Sequence, residues 1–222
     1  MKMTGKQSIT FDNPPYIIAA ASVVGKKEGE GPLGKFFDIV EEDIMFGTNT
    51  WEEAESTMVS KAIGLAINKA ELKTKDIRYI VGGDLLGQLI ASSFGVEQMS
   101  IPMFGVYGAC STMGESLSLA SILVDGGYAD HTLAFTSSHF GSAEKQFRFP
   151  LGYGNQKPLS MSWTVTGSGA IVLASGNEKN TGLGPKSEGM TDGADVIVKG
   201  VTPGKIVDYG IIVGILGGTY LV

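Results

Sequence analysis

Apolar positions along this chain alternate between two periods. Short, nearly continuous apolar runs read as buried strands: "YIIAAASVVG" at 16–25, "IRYIVGGD" at 77–84, "IPMFGVYGA" at 101–109, "HTLAFTSSH" at 131–139 and the strand pair "SWTVTGSGAIVLASG" at 162–176. Between them, apolar residues recur every three to four positions, the period of a helix lying on a sheet. The clearest helix begins at Thr50, which with Glu53 has the spacing of a capping box, and continues through Trp51, Ala54, Met58, Ala62, Leu65, Ala66 and Ala70 to Leu72. "LLGQLIASSFGVEQMS" has a helical period broken by two glycines. "STMGESLSLASILVDGGYAD" carries no charge between Glu115 and Asp125, which predicts a buried helix. "KFFDIVEEDIMFG" reads as a short amphipathic segment, and 140–161 as a long loop. Strands alternating with helices predict an α/β domain with a largely parallel sheet.

Residues 176–200 lose this periodicity and turn to Gly, Lys, Glu, Asp and Asn, the pattern of a surface excursion or linker. "VTPGKIVDYGI", within a tail at 201–222, has the composition of one more strand. The 32 glycines follow no collagen-like period and point to tight turns and close backbone contacts.

Charge and cysteine content narrow the function. Net charge is −6 with no Lys/Arg cluster, which argues against nucleic acid as a partner. A single cysteine excludes an internal disulfide framework and a cysteine zinc site, and points to a reducing compartment. The run at 16–25 follows Asp12-Asn13-Pro14-Pro15 rather than a basic segment, so it does not read as a signal peptide. No stretch reaches the roughly 18 apolar residues of a membrane span.

The candidate chemistry gathers at the carboxyl ends of the strands, where open α/β sheets bind ligands. Cys110 lies between the strand end "VYGA" and the next helix. A helix N-terminus favours a thiolate or a nearby anion, but free cysteines are most often packing residues. Asp84, after Gly82-Gly83, is a pocket polar group or, better, a helix cap. His139 is a pocket donor, a base near Cys110 or a satisfied hydrogen-bonding residue, and local pattern favours the last. His131 opens its strand at the opposite edge and reads as structural. The long loop offers Arg148, Tyr153, Gln156 and Lys157 within ten residues, with Phe147 and Phe149 flanking the arginine. A guanidinium and an ammonium suit an anion, although loop cations are more often simply solvated.

In this order, the segments "MTGKQ", "EGPLGKFFD", "GGDLLGQ", "YGACSTMGES", "DGGYA", "FTSSHF" and "AEKQFRFPLGYGNQKP" resemble the stage V sporulation protein AD family of spore-forming Firmicutes. That family is a branch of the thiolase-like superfamily. The resemblance covers residues 1–175, with a weaker trace at "GKIVDYGI". It implies a thiolase-like N-terminal half, a largely parallel five-stranded sheet sandwiched by helices, whose buried central helix follows Cys110. It also implies a non-enzymatic protein that binds dipicolinic acid (pyridine-2,6-dicarboxylate), as its calcium complex, for uptake into developing spores. The expected location is the cytoplasmic face of the spore inner membrane, beside other stage V A proteins, with no cofactor or resident metal and with a homodimer through the sheet edge. The ligand-binding set becomes Cys110, Ser111, His139, Arg148, Tyr153, Gln156, Lys157 and Asp84.

In condensing enzymes of the superfamily, the catalytic histidine and its partners come largely from a second half, and this sequence stops at Val222 before it. The expected reading is a truncated or frame-shifted second half beginning in the tail. Three readings stay open: a dipicolinate binder, a Cys110-dependent acyltransferase or 3-oxoacyl synthase, and an inactive fragment.

Overall fold

The computed structural model describes residues 2–4, 8–86, 88–147, 164–176 and 198–199. Nine strands and five helices are found among them: β1 Lys2–Thr4, β2 Ser8–Thr10, β3 Tyr16–Gly25, α1 Lys26–Gly29, β4 Ile39–Glu41, α2 Trp51–Lys69, β5 Tyr79–Asp84, α3 Ile90–Glu97, β6 Met103–Gly105, α4 Thr112–Asp125, β7 His131–Ser138, α5 Phe140–Phe147, β8 Gly167–Ala174 and β9 Val198–Lys199. The main sheet has the order β4-β3-β8-β7-β5-β6, and β1, β2 and β9 form a small separate sheet.

β3, β4, β5, β6 and β7 share one direction and β8 alone runs against them, so the sheet is largely parallel. It has six strands rather than five. The extra one is β4, inside the segment expected to be amphipathic, where Ile39 and Val40 pair with Val23 and Val24. The third expected strand is only the three residues of β6, because at the sheet edge it pairs with β5 alone. The loop after "TSSH" opens with helix α5, and only one strand, β8, is found in the described part of 162–176.

α2 forms as its spacing predicts. Thr50 accepts from the Glu53 amide at 3.2 Å, while the Glu53 carboxylate reaches back to the Asn49 amide at 3.3 Å. Glu52 and Glu53 in the first turn and Lys69 in the last complement the helix dipole. The helix ends in a Schellman turn: Leu72 N–H donates to Ile67 and Glu71 N–H to Asn68, with Glu71 at φ +57°. α4 ends in the same way at Gly127, φ +73°, with Tyr128 N–H donating to Leu123. That turn accounts for the "DGGY" segment.

Side-chain alternation divides the core. On one face α2 buries Met58, Ala62 and Ile63 against Val23, Ile80, Leu133 and Phe135. On the other, α4 packs Met113, Ala120 and Val124 against Val81, Ala134, Ile171 and Leu173. The outer face of α4 is only half-buried, with Leu119 41% exposed. The helix expected to be buried all round is therefore covered on one side by the described residues.

Gly82 and Gly83 let neighbours approach the end of β5. A Cβ on Gly82 would enter the Phe135 ring, and one on Gly83 would meet the Val106 carbonyl oxygen. Gly82→Ala is therefore expected to destabilise by about 1–3 kcal/mol through overpacking. Thr50→Ala, which loses one cap bond, should cost about 1 kcal/mol. Urea denaturation midpoints for the two variants and wild type check the ranking.

Candidate functional site

Two groups of polar side chains meet the carboxyl edge of the sheet, one on each face. The first is the entry to α4. After β6 the chain passes Val106 to Gly108, makes a 3-10 turn over Ala109–Ser111 and enters α4 at Thr112. Cys110 sits in that turn as a half-buried free thiol. Ala109, just before it, has φ +49°, a left-handed conformation that costs a non-glycine residue about 1 kcal/mol or more. The hydroxyls around it hold the turn. Thr112 Oγ1 accepts from the Gly108 amide at 3.2 Å and donates to the Ala109 carbonyl at 2.9 Å. Ser111 Oγ lies 2.9 Å from the Gly108 carbonyl and 2.7 Å from Glu115 Oε1. Thr112 also packs beside Gly83, joining this turn to the end of β5.

The second group lies on the α2 face and is fully buried. Glu55, from α2, accepts from Ser137 Oγ at 2.9 Å and from Ser142 Oγ at 2.7 Å. Asp84, whose neighbour in the ladder is Ser137, accepts from the amide of Leu86 at 3.0 Å and from the amide and hydroxyl of Ser92 at 2.8 and 2.6 Å. It thus caps α3 from eight residues upstream. That cap also explains why α3 begins only at Ile90 rather than near Leu85. His139 is fixed on both nitrogens. The Gly141 amide donates to Nδ1 at 3.1 Å, so Nε2 carries the proton and donates to the Ile44 carbonyl at 2.7 Å. Its ring lies between Trp51 and Phe140, with centroids 5.3 and 5.2 Å away, and burial pulls its pKa down and keeps it neutral.

The sequence-derived candidates therefore separate. Cys110 and Ser111 belong to the α4 turn. Asp84 and His139 belong to the opposite face: Gly83 faces α4, so Asp84, the next residue, points towards α2 and α3. The contacts of Asp84 are those of a cap, and those of His139 are of a satisfied structural residue. The ligand role for either has no geometric basis. Arg148, Tyr153, Gln156 and Lys157 lie outside the described residues. His131 is buried at the start of β7, where its carbonyl accepts from the Arg78 amide.

Two cavities of about 300 Å³ flank these groups. One is at the ends of β3 and β8, walled by Gly25, Glu28, Ile44, Phe140 and Thr166. The other lies between α3 and β6, walled by Leu89, Val96, Ile101 and Met103. Cys110 lines neither. No group of three or more His, Cys, Asp or Glu side chains among the described residues could hold a metal, and no described helix is long and apolar enough to cross a membrane.

Sequence reasoning missed Glu55 and Glu115. Glu55 sits on the buried stripe of α2, one turn before Val59, so a carboxylate in phase with apolar positions was the available signal. Glu115 was visible as the last charge before a long uncharged run.

Comparison with known proteins settles the family. Residues 5–218 match the family model of stage V sporulation protein AD. The chain belongs to that family. It is 39% identical over 211 residues to stage V sporulation protein AD of Bacillus subtilis strain 168, covering 95% of this chain and 58% of that protein. The chain thus spans a little over half the length of its curated relative. Among solved structures it is similar to 3-oxoacyl-(acyl carrier protein) synthase III of Xanthomonas oryzae (TM-score 0.51, 17% identity, 78% of this chain and 59% of that one). It is also similar to OleA of Xanthomonas campestris (TM-score 0.52, 15% identity, 76% and 58%). The fold is the thiolase-like fold of those condensing enzymes.

The buried acids make a prediction about pH. The Glu55 carboxyl is pushed from 4.5 up to about 8, first by burial and then by the charge of Asp84, against the lowering effect of its two serine bonds. Between those values the folded chain holds a proton that the unfolded chain has released. Stability from this group is therefore full below the lower value and falls as pH rises towards the upper one. Glu55→Gln removes that slope while keeping an acceptor for one serine. From pH 5 to pH 8, the melting temperature of the variant is expected to fall less than that of wild type.

Proposed function

We propose that this sporulation-family chain binds dipicolinate, as its calcium complex, at the Cys110 turn of a thiolase-like half, and that it does not catalyse a condensation. The observation that carries this reading is the α4 entry. A strained Ala109 presents a half-buried thiol and two ordered hydroxyls at the strand ends where an α/β sheet receives ligands. Membership of the stage V sporulation protein AD family supports a sporulation role over a biosynthetic one. The cytoplasmic face of the spore inner membrane and partnership with other stage V A proteins are part of the same proposal. Arg148, Lys157, Gln156 and Tyr153 are proposed to supply the cationic and polar wall facing the two carboxylates. A guanidinium fork matches a carboxylate in two parallel hydrogen bonds.

Cysteine catalysis of acyl transfer needs a base and an oxyanion hole as well as a thiol. The only histidine at this edge, among the described residues, has both ring nitrogens engaged by the backbone. Its neutral form is held for packing, so it offers Cys110 no base.

Isothermal titration with dipicolinate in the presence of calcium is expected to show saturable binding to the full chain. Arg148→Ala should weaken it by roughly tenfold or more, the loss of a charge-assisted pair. No heat of binding with or without calcium would overturn the reading. An acyl adduct on Cys110, seen by intact mass after incubation with acyl-CoA, would replace it with the acyltransferase alternative.

A second copy of the chain is the partner we propose for the β6 edge. β6 ends the sheet, and Phe104 on it and Phe94 on α3 are 48% and 63% exposed. Sedimentation equilibrium is expected to give a dimer for wild type and a monomer for Phe104→Asp.

A further inference from the structure

Thr166, the residue before β8, ties three elements together at the carboxyl end of β3. Its carbonyl accepts from the Gly25 amide at 2.9 Å, and its hydroxyl accepts from the Phe140 amide of α5 at 3.0 Å. Its own amide donates to Glu28 Oε1 of α1 at 3.1 Å. Of the three bonds, only this last one involves an ionisable group. Glu28 is also part of the wall of the cavity at the ends of β3 and β8. Gly25 admits the carboxyl, since a Cβ there would come within 3.0 Å of Glu28 Oε2 and 3.1 Å of the Thr166 methyl. Oε2 itself is shut off from solvent and has no hydrogen-bond partner.

A carboxyl held in this way favours its neutral form. With the proton on, the other oxygen still accepts from the Thr166 amide and no charge is buried. Without it, Oε2 becomes a buried charged atom that lacks a donor, a costlier state than an unpaired neutral group. Burial accordingly raises the Glu28 pKa above the ordinary carboxyl range, against the lowering effects of the Thr166 amide and of the Lys27 charge. The other charges around α1 are engaged elsewhere or stand in solvent. Lys26 is held by Glu42 at 2.9 Å, Glu41 on β4 by Lys61 at 2.7 Å, and Asp38 by Lys69 at 2.8 Å. Asp43 accepts from the amides of Met45 and Gly47, and Glu30 and Lys35 are exposed. The charges of α5 are Glu144, which is half-buried, and Lys145, which is held by Glu52 at 2.8 Å. α1 is a four-residue turn with no buried residue, so Glu28 can leave without disturbing the core.

We propose that Glu28 is a proton-operated latch: protonated, it closes α1 over the start of β8, and on losing its proton it swings into solvent, frees the Thr166 amide and opens one wall of the cavity. The closed form holds a proton that the open form releases. Closure is therefore complete below the ordinary carboxyl range and weakens as pH rises towards the raised value. The latch is independent of the ligand proposed above.

Amide hydrogen exchange of the full chain, followed by NMR, tests it. The readout is the protection of the Thr166 amide divided by that of the Gly25 amide, which bonds to the Thr166 carbonyl and not to Glu28. That ratio cancels the general dependence of exchange on pH and any global loosening, including that caused by Glu55. From pH 5 to pH 8 the wild-type ratio is expected to fall by roughly tenfold or more. Glu28→Gln keeps a carbonyl acceptor for Thr166 and cannot ionise, so its ratio should move by no more than about twofold. A wild-type ratio that does not fall, or an equal fall in Glu28→Gln, overturns the latch. Should Glu28→Gln not fold, a pH titration of wild type decides. The Glu28 carboxyl carbon and the Thr166 amide are expected to shift with one common midpoint above the ordinary carboxyl range, and separate midpoints overturn the proposal.

Discussion

The architecture turns on two consecutive glycines at the end of β5. Without side chains at 82 and 83, the Phe135 ring lies against one face of the strand and the Val106 carbonyl against the other. The first contact closes the core beneath α2. The second brings the chain leaving β6 close enough for the Val106 amide to donate to the Gly82 carbonyl, and so delivers the Cys110 turn to the sheet edge. Asp84, the next residue, then falls on the α2 face by simple alternation. There it caps α3, whose Gly95 in turn sits against Val59 of α2. One dipeptide thereby fixes both the height of the α4 entry and the depth of α3.

The same alternation explains which parts of the molecule were legible in the sequence. Strand runs and the helix of 51–69 were readable because burial on one or both faces leaves a periodic trace, and the Thr50/Glu53 cap marked a boundary. The GACS turn, the family motifs and the alternating pattern were enough for the fold class. The strand at 39–41 was not readable, because three residues make too short a pattern and its pairing with β3 is set by distant contacts. The late start of α3 was hidden because its cap comes from Asp84, outside the helix and across a turn. α5 was hidden because polar and aromatic residues at its start resemble a loop until Ser142 and Lys145 meet Glu55 and Glu52 on α2.

The candidate site was legible in its position and not in its membership. Proximity to strand ends grouped Cys110, Asp84 and His139 together, and all three do lie at that edge. Sequence carries no statement of which face a side chain takes once the strand has ended. His139 illustrates this: its ring is committed by the Ile44 carbonyl and the Gly141 amide, one from a distant loop and one from two residues on. Neither partner could be assigned from the string "TSSH".

The two faces of the edge solve different electrostatic problems with similar side chains. On the α2 face, burial removes water from Glu55 and Asp84, and their mutual repulsion is tolerated because serine hydroxyls and amides surround them and a proton is retained. Those carboxyls act as hydrogen-bond hubs tying α2, α3 and α5 to the sheet, and they carry little charge outward. On the α4 face, Glu115 is only half-buried and is tied to Ser111 Oγ at 2.7 Å. A thiolase-like scaffold that places a thiol beside a helix N-terminus is suited to stabilising negative charge as it develops on a reacting group. A carboxylate resting in that helix turn opposes this favourable field. The same turn thus carries, through one side chain and the glycine that admits it, an acidic group beside its thiol.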